Sequence, residues 1–306
     1  MENLLKAELN FSFVKSTGQG GGGCISSGNV YDTDKGKIFV KDNTKSGAKL
    51  MFDGEYTGLR AIAETNTIRV PKPFKVIKRS HGAILVMEYL NMHSLHGHAK
   101  ELGRKMAELH LSNAKNERLQ EQESSYVGKS SSNFVTKFGF DTTTCCGYLP
   151  LVNDWCNNWV NFYLQNRLKP QLDMVEQKYH DSEARKLWPD VEHNFPKLFP
   201  SSLKIKPALL HGDLWGGNAA ELENEPCIFD PGAFYGHSEF DLAISHMFGG
   251  FPSSFFSEYH SLIPKAEGFN ERLKAYQLFH YLNHWNHFGG GYRESSLSIM
   301  RNLAKL

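Results

Sequence analysis

The apolar positions of the first ninety residues fall in short runs separated by turn residues. In "CISSGNVYDTDKGKIFVKDN", Ile25, Val30, Ile38, Phe39 and Val40 suit strands, and Thr33 to Gly36 ("TDKG") is a turn signal, so the pattern predicts a hairpin. The period then changes. In "KLMFDGEYTGLRAIAET", Met51, Phe52, Leu59 and Ile62 approximate one apolar helical face. "VPKPFKVI" and "GAILVMEYL" predict two more strands, the second continuously apolar from Ala83 to Met87 as a buried strand would be. Further on, "HAKELGRKMAELHLSN" and "LVNDWCNNWVNFYLQNRL" predict helices, with Leu102, Met106 and Leu109 on one face and Trp155, Trp159 and Phe162 on another. Between them, "NAKNERLQEQESSYVGKSSSN" is polar and Ser-rich, the pattern of a mobile surface insertion. The expected architecture is α+β, with a β-rich lobe over residues 1–90 and a helical lobe over 91–306.

Composition narrows the function classes. The chain has 306 residues, enough for one large domain or two lobes. With 34 basic and 33 acidic residues it has no electrostatic case for a nucleic acid or membrane partner. "MENLLKAELN" has acidic residues and no long apolar run, unlike a secretory leader, and no stretch approaches a transmembrane length. Five cysteines without paired spacing do not read as a disulfide framework, so the expected compartment is a reducing one, the cytoplasm.

Five of the six residues Gly18 to Gly23 are glycine. "GQGGGG" matches the dinucleotide fingerprint, but that motif needs a helix after it and a hairpin comes next here. A Walker A loop is excluded because no Gly-Lys-Ser/Thr closes the run. A flexible linker and a kinase-type flap over the phosphates of ATP remain. The order of the residues downstream favours the flap: Gly20, Gly21, Gly22, Gly23 and Cys24, then Lys41 on the second hairpin strand, then Glu55 early in the helix as its partner. The strand end Met87, Glu88, Tyr89 and Leu90 takes the place of the hinge that binds adenine.

The second half supplies the rest. In "ALLHGDLWGGNAAELENEPCIFDPGAF" an apolar strand leads into His211-Gly212-Asp213, Asn218 stands five residues after Asp213, and Ile228-Phe229 precede Asp230. This is H-x-D-x-x-x-x-N followed by D-x-G, with Asp213 as acceptor of the attacking hydroxyl's proton and Asn218 and Asp230 as ligands of Mg²⁺. In "SEFD", Ser238 reads as a helix cap with Asp241 completing a capping box; the spacing leaves open whether Asp241 also braces the catalytic loop. A pseudokinase is disfavoured by the retained Asp213, Asn218 and Asp230.

With these motifs, "GGGCIS", "FGFDTTTCCGYLP", "LLHGDLWGGN", "DPGAFYGHSEFDLA" and "YLNHWNHFG", the chain resembles the fructosamine-3-kinase family, and within it the ketosamine-3-kinase branch. The family is related to aminoglycoside and choline kinases. The resemblance implies transfer of the γ-phosphate of ATP, with Mg²⁺, to the 3-hydroxyl of ketosamines on glycated proteins. The unstable product then releases the amine. Ribulosamines and psicosamines are the implied substrates, with fructosamine preference as the alternative. Gly232 stands where the resemblance implies Ala, a conservative change. Trp215, inside the catalytic loop, is a candidate to stack on the acceptor, and His284, Trp285 and His287 a candidate pocket wall. His284 and His287 lack a third ligand in a zinc pattern, and Cys145 and Cys146 read as buried thiols. Cys24, at the flap, is a candidate reactive thiol, through which a redox-linked dimer is the alternative to a monomer.

Overall fold

The computed structural model describes residues 1–22, 26–124 and 134–306. Helix α1 (Glu2–Leu9) precedes strands β1 (Val14–Gly22), β2 (Ser27–Thr33) and β3 (Gly36–Asn43). Helix α2 (Ala48–Glu64) comes next, then β4 (Pro73–Lys78) and β5 (Ala83–Glu88). These strands form one antiparallel sheet in the order β1-β2-β3-β5-β4. Alternation explains the unbroken apolar run of β5. Ile84 and Val86 pack with Leu5, Val14, Tyr31, Ile38 and Val40 on one face, while Ala83, Leu85 and Met87 join Phe52, Leu59 and Ile62 of α2 on the other. The glycine run forms the end of β1, with Gly20 to Gly22 opposite Asn29 to Ser27 of β2. Gly23 and Cys24 lie outside the described residues.

Helix α3 (Ala99–Ser124) corrects one expectation: residues 113–124, expected to belong to an insertion, continue the helix. Their Ala, Lys, Glu, Arg, Leu and Gln are good helix formers, and neither Gly nor Pro interrupts them. Residues 125–133 lie outside the described residues.

After the short strands β6 (Cys145–Cys146) and β7 (Leu149–Pro150), helix α4 (Trp159–Phe162) begins eight residues later than the start of the stretch expected to be helical. Asn158 caps it by accepting from the Asn161 amide at 2.9 Å. Trp155 is therefore not on that helical face; it is partly exposed and its Nε1 donates to Asp141 at 3.0 Å. The chain continues through a π-helical turn (Tyr163–Leu168), α5 (Lys169–Tyr179) and α6 (Ser182–Asn194).

Strand β8 (Ala208–Leu210) leads into the H-G-D segment, and the hairpin β9 (Ala219–Glu221)–β10 (Pro226–Ile228) leads into Asp230. Strand β11 (Phe234–Gly236) returns to pair with β8, which places the two segments side by side. Helices α7 (Glu239–Ser245), α8 (Ser253–Leu262), α9 (Phe269–Phe288) and α10 (Arg293–Leu303) complete the chain. Among the described residues no helix is long and apolar enough to cross a membrane.

Candidate active site

A cleft of about 780 Å³ lies between the sheet and the helices, lined by Lys41, Glu55, the Met87–Leu90 segment, Asp213, Asn218 and Asp230. On its upper wall Lys41 Nζ sits 2.7 Å from Glu55 Oε1 and also pairs with Asp230. Burial disfavours the Lys41 ammonium, but the carboxylates of Asp230 and Glu55 outweigh it and hold its pKa above the ordinary lysine value. Glu55 is raised, because burial outweighs the attraction of Lys41. Asp230, with φ of 59°, takes a left-handed backbone conformation that Asp tolerates better than most residues.

The lower wall is a hydrogen-bonded loop. Asn218 Nδ2 donates to the Asp213 carbonyl at 2.9 Å and to its Oδ2 at 3.1 Å. His211 Nε2–H donates to the Phe229 carbonyl at 2.9 Å, so Nδ1 is free to accept from the Asp213 amide at 3.2 Å. That pair of bonds fixes the tautomer and ties the H-G-D segment to Phe229, the residue before Asp230. Gly212 has φ of +83°, and a Cβ there would lie 2.2 Å from the Gly232 carbonyl oxygen, so no larger residue fits between the two segments. Burial, with the charges of Asp230 and Asp241, pushes the Asp213 carboxyl up to about 7 against the opposing Asn218 hydrogen bond.

Asp241 does not complete a capping box. The Ser238 side chain makes no cap hydrogen bond. The wholly buried Asp241 carboxylate instead accepts from the His211 amide at 2.7 Å and the Gly212 amide at 2.8 Å. His110 of α3 lies 3.1 Å from the same carboxylate and 2.7 Å from the Tyr259 hydroxyl, linking α3, α7 and α8 beneath the loop.

One wall of the cleft is aromatic. Trp215 is 39% exposed and meets Phe248 edge-on, and Phe248 packs on His284 with ring centroids 4.9 Å apart. Phe288 and Tyr292 extend this wall.

Against this geometry the comparisons are specific. The model of the fructosamine kinase family matches residues 2–305. The chain belongs to the fructosamine kinase family. Mouse ketosamine-3-kinase is 58% identical over 311 residues, covering 100% of both chains. The chloroplastic protein-ribulosamine 3-kinase of Arabidopsis thaliana is 39% identical over 96% of this chain and 84% of its own length. A crystal structure of a candidate fructosamine-3-kinase from Haemophilus somnus superposes with a TM-score of 0.76 at 23% identity, covering 99% of this chain and 96% of that one. The aminoglycoside phosphotransferase APH(4)-Ia in complex with ADP and hygromycin B gives 0.56 at 12% identity, covering 100% and 98%. The structural likenesses speak to fold, and they bear out the kinase-like α+β fold expected from the motifs.

For a fructosamine kinase family member, most residues singled out from the motifs converge on the cleft, and among the described residues Ser26 and Gly28, beside the glycine run, line it too. Trp285 does not. It is 1% exposed, packs on Tyr179 and is absent from the cleft wall, because α9 turns it away from His284 and His287. His284 and His287 line the cleft, and each has its Nδ1 on the carbonyl one helical turn earlier, at 2.7 and 2.8 Å. Sequence reasoning assigned no role to Asn283, Phe248 or His110. "FGFDTTTCCGYLP" was a signature without a placement; it brings Cys145 and Cys146 to the cleft floor. Gly232 matters more than its conservative reading suggests: a Cβ there would stand 2.7 Å from the Cys145 carbonyl oxygen, so alanine requires β6 to move.

Proposed function

We propose that this chain is an ATP-dependent ketosamine 3-kinase that phosphorylates ribulosamine and psicosamine adducts of protein amines in the cytoplasm and so initiates their deglycation. The observation that carries the reading is that Asp213 lines one cleft together with Lys41, Glu55, Asp230 and the aromatic wall, in a chain 58% identical end to end to mouse ketosamine-3-kinase.

Lys41 binds the α- and β-phosphates, Gly20 to Gly23 and Cys24 cover them, and Met87 to Leu90 bind adenine. Trp215 and the His284–His287 face of α9 receive the acceptor. Asp213 accepts the proton of the 3-hydroxyl as that oxygen attacks the γ-phosphorus. The donor set suits Mg²⁺. The amide nitrogen of Asn218 is spent on Asp213, leaving its oxygen, and the Asp230 carboxylate is 44% exposed to the cleft. Bound there, Mg²⁺ neutralises charge on the phosphates. The ion pair with Asp230 holds Lys41 in place before nucleotide arrives, at the cost of a contact that nucleotide must replace.

The test is acceptor profiling with ATP across ribulosamine, psicosamine and fructosamine derivatives of lysine. Preference for the first two supports the reading. Preference for fructosamine places the chain in the sister branch, and no ketosamine-dependent ATP turnover overturns it.

A further inference from the structure

One polar cluster in the cleft floor joins Asp213 to two side chains, Cys146 and His280, that this chemistry leaves unused. Cys146 Sγ on β6, a carboxylate oxygen of Asp213 and a ring nitrogen of His280 on α9 all lie within 4.8 Å of one another. His280 is fully buried, and among the described residues neither of its ring nitrogens has a hydrogen-bond partner. An unpartnered buried imidazole forgoes hydrogen bonds that water would supply. Cys146 Sγ has a single long contact, 3.6 Å to Asn283 Oδ1. Asp213, Cys146 and Asn283 line the cleft, so the cluster opens to solvent on one side.

We propose that Cys146, His280 and Asp213 form an inhibitory site for a thiophilic divalent cation of the Zn²⁺ class. A thiolate, an imidazole and a carboxylate are the donor types such a cation takes, at bond lengths of about 2.0–2.3 Å, with a fourth position open to the cleft. Donors this close together need only small side-chain rotations to reach one centre. Mg²⁺ is not a competitor here, since it prefers oxygen donors in octahedral geometry, the character of Asn218 and Asp230. The floor of the cleft thus separates a hard-cation site that serves the reaction from a soft-cation site that stops it. Binding releases the Cys146 thiol proton to solvent and commits a lone pair of Asp213 to the cation, so that carboxylate no longer accepts the acceptor's proton. The inhibitory consequence rests on the role proposed for Asp213; the metal site itself does not.

Two measurements on the full chain test this. In the first, Co²⁺ is added without nucleotide or acceptor. The wild type should show a thiolate-to-cobalt charge-transfer absorption that Cys146→Ser lacks. In the second, Zn²⁺ is titrated into the ketosamine reaction with Mg·ATP in large excess. Inhibition should lower kcat, be reversed by a zinc-selective chelator, and require at least about tenfold more Zn²⁺ in Cys146→Ser or His280→Gln, each judged against its own zinc-free rate. Should His280→Gln fail to fold, the cobalt spectra and Cys146→Ser decide. No charge-transfer band in the wild type, or equal zinc sensitivity in Cys146→Ser, overturns the site while leaving the kinase reading intact. Failure of the zinc-free enzyme, supplied with Mg·ATP, to phosphorylate any ketosamine overturns the kinase reading and leaves the cobalt result standing.

Discussion

In the role proposed for it Asp213 must be an anion, yet burial and the charges of Asp230 and Asp241 lift its carboxyl to about 7. A base acts in its deprotonated form, so activity is present above that pKa and lost below it. On the proposed role, kcat/KM for ATP, which reports the free enzyme, should fall about tenfold per pH unit below about 7. If Asp230 holds Mg²⁺ as proposed, the cation would cancel one of the repelling charges, and the inflection in kcat under saturating Mg·ATP should move to lower pH. A pH-rate profile with no inflection between 5 and 8 (roughly the range a perturbed carboxyl spans) would remove Asp213 from the role. Asp213→Asn should bind nucleotide nearly normally while losing about 10²-fold or more in kcat, measured by single-turnover kinetics. The cation assignment has its own check in Mg²⁺ titrations: Asp230→Ala should abolish Mg²⁺-dependent turnover and Asn218→Ala should raise the Mg²⁺ requirement. Unchanged titrations in both variants would contradict it.

Helix α7 acts on the site through Asp241, which holds the amides of His211 and Gly212 without lining the cleft. In Asp241→Asn the carboxamide NH₂ replaces one accepting oxygen and faces an amide donor, leaving a buried N–H unpaired. That should cost about 1–3 kcal/mol of stability, read as a lower Tm, and should lower kcat more than it changes nucleotide affinity. A variant with wild-type Tm and kcat would show that α7 does not brace the loop. The sequence could not decide between this brace and a capping box, because S-x-x-D spacing serves both and His110 lies 131 residues away in the chain. The same limit explains Trp155: an i, i+4 aromatic pattern fits a helix, but the Asn158 cap sets the start at Trp159. Strand β5 was legible because burial on both faces writes itself into composition.

Across the whole molecule, the proposed nucleotide side of the cleft was readable and the proposed acceptor side much less so. Lys41, Glu55, Asp213, Asn218 and Asp230 stand at spacings that phosphoryl transfer imposes, so chemistry left a pattern in the sequence. The acceptor wall joins the 145–147 segment, Phe248 and one face of α9 by tertiary packing, and helical periodicity alone did not distinguish the buried Trp285 from the cleft-lining His284. Because Lys41 pairs with Glu55 and Asp230 and its proposed contacts are to phosphate alone, Lys41→Met should weaken ATP use without changing which ketosamine is preferred; an altered acceptor ranking would contradict the proposed division of the cleft. The most direct test of the central claim is ³¹P NMR of the product formed from ATP and a lysine-bound ribulosamine. The account predicts a phosphate monoester on the 3-hydroxyl of the ribulosamine, formed faster than with fructosamine and absent with Asp213→Asn. ATP hydrolysis to free phosphate with the ribulosamine recovered unmodified would contradict it.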